Sequence, residues 1–207
     1  MSAERELIIS STASISGLLA WPSQHEGPAD VSLVPVGRGR VLIGGVGYTN
    51  LRDRSIGPLL IERLQGRTWP ADIVVEDVSY GPIDVLFKLQ AEPSGFRLGL
   101  FVAAVARGRP EGTVERYHWQ APTPSVDELQ ERIAEAVTGV VSLENLLHIL
   151  GHFGALPKRT VVIEVEPEPE ERWGPDLSEP AGAALEAVEA LIFEELAADH
   201  ATGADGG

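Results

Sequence analysis

Cysteine is absent from this chain of 207 residues, and methionine occurs once. The lack of cysteine excludes disulfides, thiolate-bound metal ions and a cysteine nucleophile. No apolar run reaches the ~18 residues that a membrane-spanning helix needs. The charged residues at positions 4–6 precede only a short apolar stretch, which is not the pattern of a signal peptide. We therefore expect a cytoplasmic protein that does not insert into a membrane.

Basic residues are also scarce, with 16 Lys and Arg against 31 Asp and Glu and a formal net charge of −15 at pH 7. Contacts to phosphates need Lys and Arg, so we expect no binding of nucleic acid. Much of the negative charge follows residue 163, where Arg172 is the only Lys or Arg. The acidic run from Glu164 to Glu171 is expected to form a solvated loop, because like charges in a row repel each other.

Short apolar runs alternate with helical patterns from residue 41 onward. Such runs are typical of strands buried on both faces, and strands are predicted at Val41–Val46, Ile73–Val75, Leu98–Val105 and Thr160–Val165. Thr113–Trp119 has an alternating pattern and follows a turn, so it is predicted to be an extra strand. Helices are predicted from Pro58, from Pro82, after Ser125 in a capping box with Glu128, after Ser142, and over Pro180–Leu196. The alternation predicts an α/β protein, a three-layer α/β/α sandwich with a mainly parallel twisted sheet. Residues 1–39 are assigned to an N-terminal extension, 40–198 to the domain and 199–207 to a disordered tail.

The glycine-rich stretch GVGYTNLRDRSIG, residues 45–57, connects the first predicted strand to the first predicted helix. A dinucleotide fingerprint would need a third glycine where Asn50 stands. A P-loop would need Gly-Lys-Ser/Thr and a serine-hydrolase elbow Gly-x-Ser-x-Gly, and the sequence contains neither. Because strand-to-helix loops meet at the carboxyl edge of a parallel sheet, this loop is still expected to lie at a binding site.

Four stretches in this order resemble landmarks of one family, the hydrogenase maturation proteases. The family opens with Gly-x-Gly-Asn, four variable residues and Asp-Asp/Glu-Gly-x-Gly, and residues 45–57 match this length without a gap. LGLFVAAVARGRPEGTV resembles its third strand and turn. SLENLLHILGHFGALPKRTVVIEVEPE resembles its Leu-rich helix and final strand, and WGPDLSEPAGAALEAVEALIFEEL its closing helix. The resemblance covers about residues 40–198 and implies a phosphorylase/hydrolase-like fold and a hydrogenase-type large subunit as partner.

The positions that sense nickel in this family differ here. Members trim the C-terminus of nickel–iron hydrogenase large subunits after nickel insertion, and three side chains read the metal. The corresponding positions are Arg54, Ala103 and about Gly139, while Tyr48 replaces the Asn of the motif. A divalent metal needs carboxylate or imidazole ligands, so no nickel or other cofactor is expected. The resemblance implies a binding cleft at Gly45, Gly47, Tyr48, Asp53, Arg54 and Ala103.

Two hypotheses about function follow. The first is a hydrogenase maturation protease-like protein that binds a nickel–iron hydrogenase large subunit as a non-catalytic assembly or accessory factor. The alternative is an active endopeptidase that processes the C-terminus of the large subunit with a relocated acid, Asp53 or Asp77, or with a relocated metal site. Candidate ligands for such a metal are His148 and His152, which share a helix face with Glu144. Asp53 equally suits the N-terminus of a helix, where carboxylates are favoured.

Overall fold

The computed structural model describes residues 39–120, 125–138, 142–169 and 172–204. The predicted N-terminal extension lies outside the described residues except for Gly39. Gly139, the position predicted to replace a histidine ligand, lies outside them as well.

A five-stranded sheet forms the middle layer. Its strands are β1 Arg40–Val46, β2 Ile73–Asp77, β3 Phe96–Ala104, β4 Val114–His118 and β5 Arg159–Val165. The strand order is β2-β1-β3-β5-β4. All neighbouring pairs are parallel except β4 and β5, which are antiparallel. β1, β3 and β5, which have continuous apolar runs, are the central strands. β2 was predicted from the run Ile73–Val75 to be buried on both faces, but it lies at one edge of the sheet, and its residues after Ile73 are only partly buried. β4, with its alternating sequence, is the other edge strand.

Helices cover both faces of the sheet. They are α1 Ile56–Gln65, α2 Pro82–Ala91, α3 Val126–Val137, α4 Leu143–His152 and α5 Glu179–Ala204. One core cluster joins the sheet to α1 and α5, and a second joins it to α2 and α4. Helix α3 begins with the predicted capping box of Ser125 and Glu128, and it packs against α4, where the Asn145 amide donates to the Arg132 carbonyl at 3.0 Å. The three-layer α/β/α sandwich with a mainly parallel sheet is therefore confirmed.

Two helix boundaries differ from the prediction. Helix α1 begins at Ile56 rather than at Pro58, because a short 3-10 helix, Arg52–Ser55, leads directly into it. Helix α5 continues to Ala204, although the prediction ended it at Leu196 and made residues 199–207 a disordered tail. A tertiary contact supports the longer helix, since the Asp199 carboxylate accepts a hydrogen bond from Arg97 Nε of β3 at 2.9 Å. Residues 205–207 lie outside the described chain.

Candidate functional site

The loops that follow β1, β2, β3 and β5 meet at the carboxyl edge of the sheet. In parallel α/β folds this edge is where ligands and substrates bind. The predicted site residues lie in or beside these loops, and so do several charged residues that the sequence did not single out.

The glycines after β1 allow close packing of backbone against backbone. A Cβ atom at Gly45 would lie 2.4 Å from the Gly57 carbonyl oxygen, and one at Gly57 would lie 2.4 Å from the Val46 carbonyl oxygen. A Cβ atom at Gly47 would lie 2.3 Å from the Arg54 carbonyl oxygen. Such distances are impossible for real side chains, so these positions require glycine for the approach of α1 and the 3-10 helix to β1. The glycine pattern is thus explained by packing, without a ligand.

Asp53, the acid that the 45–57 stretch retains, is buried with 2% of its surface exposed. Its Oδ2 accepts hydrogen bonds from the Glu168 backbone N–H at 2.8 Å and from Ser178 Oγ at 2.7 Å, and its Oδ1 accepts one from the Ser178 N–H at 2.7 Å. Ser178 Oγ also accepts from the Ala181 N–H at 3.3 Å, at the start of α5. The Asp53 carboxylate therefore joins the loop after β1 to the segment that leads into α5.

Further contacts join the same two segments. Arg52 N–H donates to the Gly174 carbonyl at 3.0 Å, and Gly174 N–H donates to the Asn50 carbonyl at 2.9 Å. Arg52 also pairs with Glu168 at 2.6 Å. Asn50 and Arg52 adopt positive φ angles of 60° and 41°, a conformation that side chains disfavour and that these contacts stabilise. The loop is held by residues that follow it by more than a hundred positions.

The metal-sensing positions carry no ligand set in the described residues. Ala103 is paired in register with Val46 and Glu164, is 3% exposed, and belongs to the apolar cluster that contains Leu143. Arg54 is half-buried, and its carbonyl accepts a hydrogen bond from Tyr48 N–H at 3.0 Å. An alanine methyl group in an apolar cluster and a guanidinium group do not fit a divalent cation.

Two acids of the predicted solvated run are buried, which contradicts that prediction. Glu164 is 2% exposed and accepts hydrogen bonds from Arg107 Nη2 at 2.8 Å, Arg109 Nη2 at 2.9 Å and the Tyr117 hydroxyl at 2.9 Å. Burial opposes ionisation of Glu164, but the bonds from Arg107 and Tyr117 outweigh it, and the pKa of its carboxyl is lowered. Burial and the bond to Glu164 raise the pKa of Tyr117 to about 12.

Glu166 completes this buried network from the same strand end. It accepts hydrogen bonds from the backbone N–H groups of Arg107 and Gly108, at 2.9 and 3.0 Å, and from Arg109 Nε at 3.0 Å. Glu164 and Glu166 are two residues apart, and so are Arg107 and Arg109 in the loop after β3. The two arginines therefore offset the repulsion between the two carboxylates. The only signal in the sequence was this matching spacing of two, which does not show by itself that the pairs meet.

Asp77 lies at the end of β2 and is half-buried. Its Oδ1 accepts a hydrogen bond from Ser79 N–H at 2.9 Å, and Ser79 Oγ accepts one from Gly47 N–H at 3.0 Å. Asp77 also lines a cleft of about 380 Å³ between α1 and the loops that follow β1 and β5. Among the predicted candidates, it is the acid that combines partial exposure with a cavity.

Each helix residue proposed for a relocated metal site has a neighbour of its own. His148 is half-buried against Trp119, with ring centroids 5.5 Å apart, and its burial, together with Arg132, lowers its pKa. His152 is exposed beside Phe153, and Glu144 pairs with Arg107 at 3.3 Å. In the part of the chain that the structure describes, no group of three or more His, Asp or Glu residues could hold a metal ion. The same part contains no helix long and apolar enough to span a membrane.

Comparisons with known proteins match this fold. No family model and no curated protein matches the sequence, but ten solved chains match the structure. A hydrogenase 2 maturation peptidase from a Thaumarchaeota archaeon is 25% identical, with 76% of this chain and 97% of that chain covered and a TM-score of 0.53. The hydrogenase maturating endopeptidase HybD from E. coli is 20% identical, with 76% and 91% covered and a TM-score of 0.58. A further endopeptidase from E. coli is 21% identical, with 74% and 89% covered and a TM-score of 0.53.

The three layers and the mainly parallel sheet define an α/β/α sandwich protein whose loops gather at the carboxyl edge of the sheet. More closely, the chain has the fold of the hydrogenase maturation proteases, and the resemblance predicted from its motifs is confirmed at the level of structure.

Proposed function

We propose that this protein binds the large subunit of a nickel–iron hydrogenase as a non-catalytic assembly or accessory factor. The observation that carries the proposal is the state of Asp53. This retained acid is buried and accepts three hydrogen bonds from Glu168 and Ser178. With 2% of its surface exposed, it supports the structure of the loop rather than facing solvent.

The chemistry of peptide hydrolysis supports the same conclusion. Hydrolysis requires a water activated by a metal ion or by a general base. Ala103 offers no donor atom, and Arg54 brings a fixed positive charge to the position of a ligand. Repulsion between unit charges ~4 Å apart is worth about 4 kcal/mol at an effective dielectric constant of ~20. The inherited positions therefore lack the means to recruit nickel.

The partner is inferred from the resemblance. The solved chains of this fold are described as hydrogenase maturation peptidases, and the motifs quoted above follow that family over most of residues 40–198. Fold alone does not define function, so the large subunit is a proposal supported by motif order together with fold.

The alternative, an active endopeptidase with a relocated acid, is favoured by one observation. Asp77 lines the 380 Å³ cleft, and its Oδ2 accepts no hydrogen bond from the described residues, whereas Oδ1 is occupied by Ser79 N–H. A carboxylate with one free oxygen in a cleft has the position required of a general base.

Intact-mass spectrometry of the large subunit decides between the two. The subunit is matured in the native host with this protein, without it, and with an Asp77→Asn variant, which keeps the acceptor for Ser79 N–H and removes the charge. We expect the wild-type protein to co-purify stoichiometrically with the large subunit, and we expect the mass of the subunit to be the same in all three samples. A loss of a C-terminal peptide only when the wild-type protein is present, abolished by Asp77→Asn, would establish the endopeptidase instead.

A further inference from the structure

The cleft at the side of α1 has an apolar floor and an open mouth. Its volume is about 380 Å³, and Pro58, Leu59, Ile61 and Pro175 supply apolar surface to its walls. The cleft lies beside the loop after β1 and next to the segment that this loop contacts. A space of this size accommodates one or two long side chains from another molecule.

The charged side chains that line the cleft are both negative. Glu62 and Asp77 line it, and neither forms an ion pair with another described residue. The neighbouring arginines have partners elsewhere: Arg52 pairs with Glu168, and Arg63 pairs with Glu189. Arg54 and Arg172 also form interactions of their own. Two carboxylates beside an apolar floor produce a local negative potential that attracts positive groups.

An exposed tryptophan precedes Pro175, one of the residues that line the cleft, by two positions. Trp173 is 83% exposed and precedes Gly174 and Pro175. The two backbone hydrogen bonds of Gly174, to Asn50 and Arg52, hold this segment beside the loop after β1. Tryptophan is the residue most enriched in the energetic centres of protein interfaces, and its face attracts cationic side chains.

We infer that this acidic cleft, together with Trp173 in the segment that supplies Pro175, docks a basic segment of a partner protein. Lys and Arg side chains fit both features, because their aliphatic stems pack on apolar surface while their charged ends reach Glu62 and Asp77. A nucleic acid would be repelled by the same carboxylates. The identification of the partner as a hydrogenase large subunit rests on the proposed function, whereas the basic character of the docking segment rests on the cleft alone.

Binding of two labelled peptides tests the chemistry of the cleft. One peptide has ten residues that alternate arginine with leucine, and the other has glutamate in place of arginine. We expect the arginine peptide to bind the full-length protein and the glutamate peptide not to bind. Trp173→Ala and the double variant Glu62→Lys with Asp77→Asn should each weaken binding, the double variant by about tenfold at low salt, since two exposed charge pairs are lost. Glu131→Lys and Glu186→Lys reverse exposed acids on α3 and α5 and serve as matched controls that should change little.

The same variants in a pull-down of the large subunit separate the two proposals. Binding by the wild-type protein and loss of binding in the double variant support both. Equal binding by the wild-type protein, the double variant and Trp173→Ala would overturn the docking inference and leave the proposed function in place. Arginine-peptide binding without large-subunit binding would overturn the proposed function alone. Concentration-dependent dimers that the double variant abolishes would show that the occupant is a second copy, which also overturns the inference.

Discussion

Replacing Asp53 by alanine is expected to lower the stability of the protein, because it removes the contact between the loop after β1 and the segment before α5. It is not expected to remove a catalytic group. The side chain is buried and accepts one hydrogen bond from Glu168 N–H and two from Ser178. A hydrogen bond to a charged group contributes ~1.5–3 kcal/mol, and a buried donor left without a partner costs ~1–3 kcal/mol. Because these bonds are coupled, we expect a loss of about 3–5 kcal/mol, the upper range for single substitutions.

Urea and thermal unfolding followed by circular dichroism measure this loss. For a chain of this length, 1 kcal/mol corresponds to ~2–4 °C, so the melting temperature should fall by about 6–20 °C. Asp127→Ala, at an exposed acid in the first turn of α3, is the control and should change the free energy of unfolding by no more than ~0.5 kcal/mol. A double-mutant cycle with Ser178→Ala should show a coupling of at least ~0.5 kcal/mol. An Asp53→Ala variant as stable as the wild type would refute the structural role and return Asp53 to the candidates for catalysis.

Three further predictions concern packing, charge and metal. Gly57→Ala should destabilise the fold by about 1–3 kcal/mol or more, because its Cβ would meet the Val46 carbonyl oxygen. Gly182→Ala is the control, since Gly182 has open space around it, and it should stabilise the fold by ~0.4–1 kcal/mol in the same unfolding assay. Glu164→Gln should cost about 2–3 kcal/mol at pH 7, less than the ~3–5 kcal/mol of a fully buried pair, because Arg107 is partly exposed. The folded-state pKa of Glu164 is lowered, so its contribution to the free energy of unfolding is present above the unfolded pKa of ~4.3. That contribution is lost as the pH falls through the folded-state pKa. An acid unfolding curve that is the same for the wild type and for Glu164→Gln would contradict this prediction. Calorimetric titration with Ni²⁺ should detect no micromolar binding, and binding that His148→Ala abolishes would contradict the absence of a relocated site.

The strands, the helices and their layering could be predicted because their signals are local. A strand buried on both faces, such as Val41–Val46, needs a continuous apolar run, and a helix start such as Ser125 shows its cap within three residues. The glycines after β1 were equally visible as a pattern, although only the structure shows that they accommodate α1. The fold follows from these periodicities and from the short connections between them.

The site was harder to predict because its contacts are distant in sequence. Glu164 looks solvated within a run of acids, and its partner Arg107 lies 57 positions earlier. Asp53 was assigned to a helix cap or to catalysis, yet its donor Ser178 lies 125 positions later. Periodicity carries no information about pairs at such separations, so the burial of both acids required the three-dimensional structure.

The dependence of the loop after β1 on Ser178 also has a consequence for the order of events during synthesis. Translation proceeds at ~5–20 residues per second, so about 6–25 s separate the addition of Asp53 from that of Ser178. Until Ser178 has been added, the Asp53 carboxylate lacks the two hydrogen bonds from Ser178 that help to fix the conformation of its loop. A partner that recognises this edge of the sheet in its final form therefore meets it only after Ser178 has been added, and a chain terminated before Ser178 would not present it.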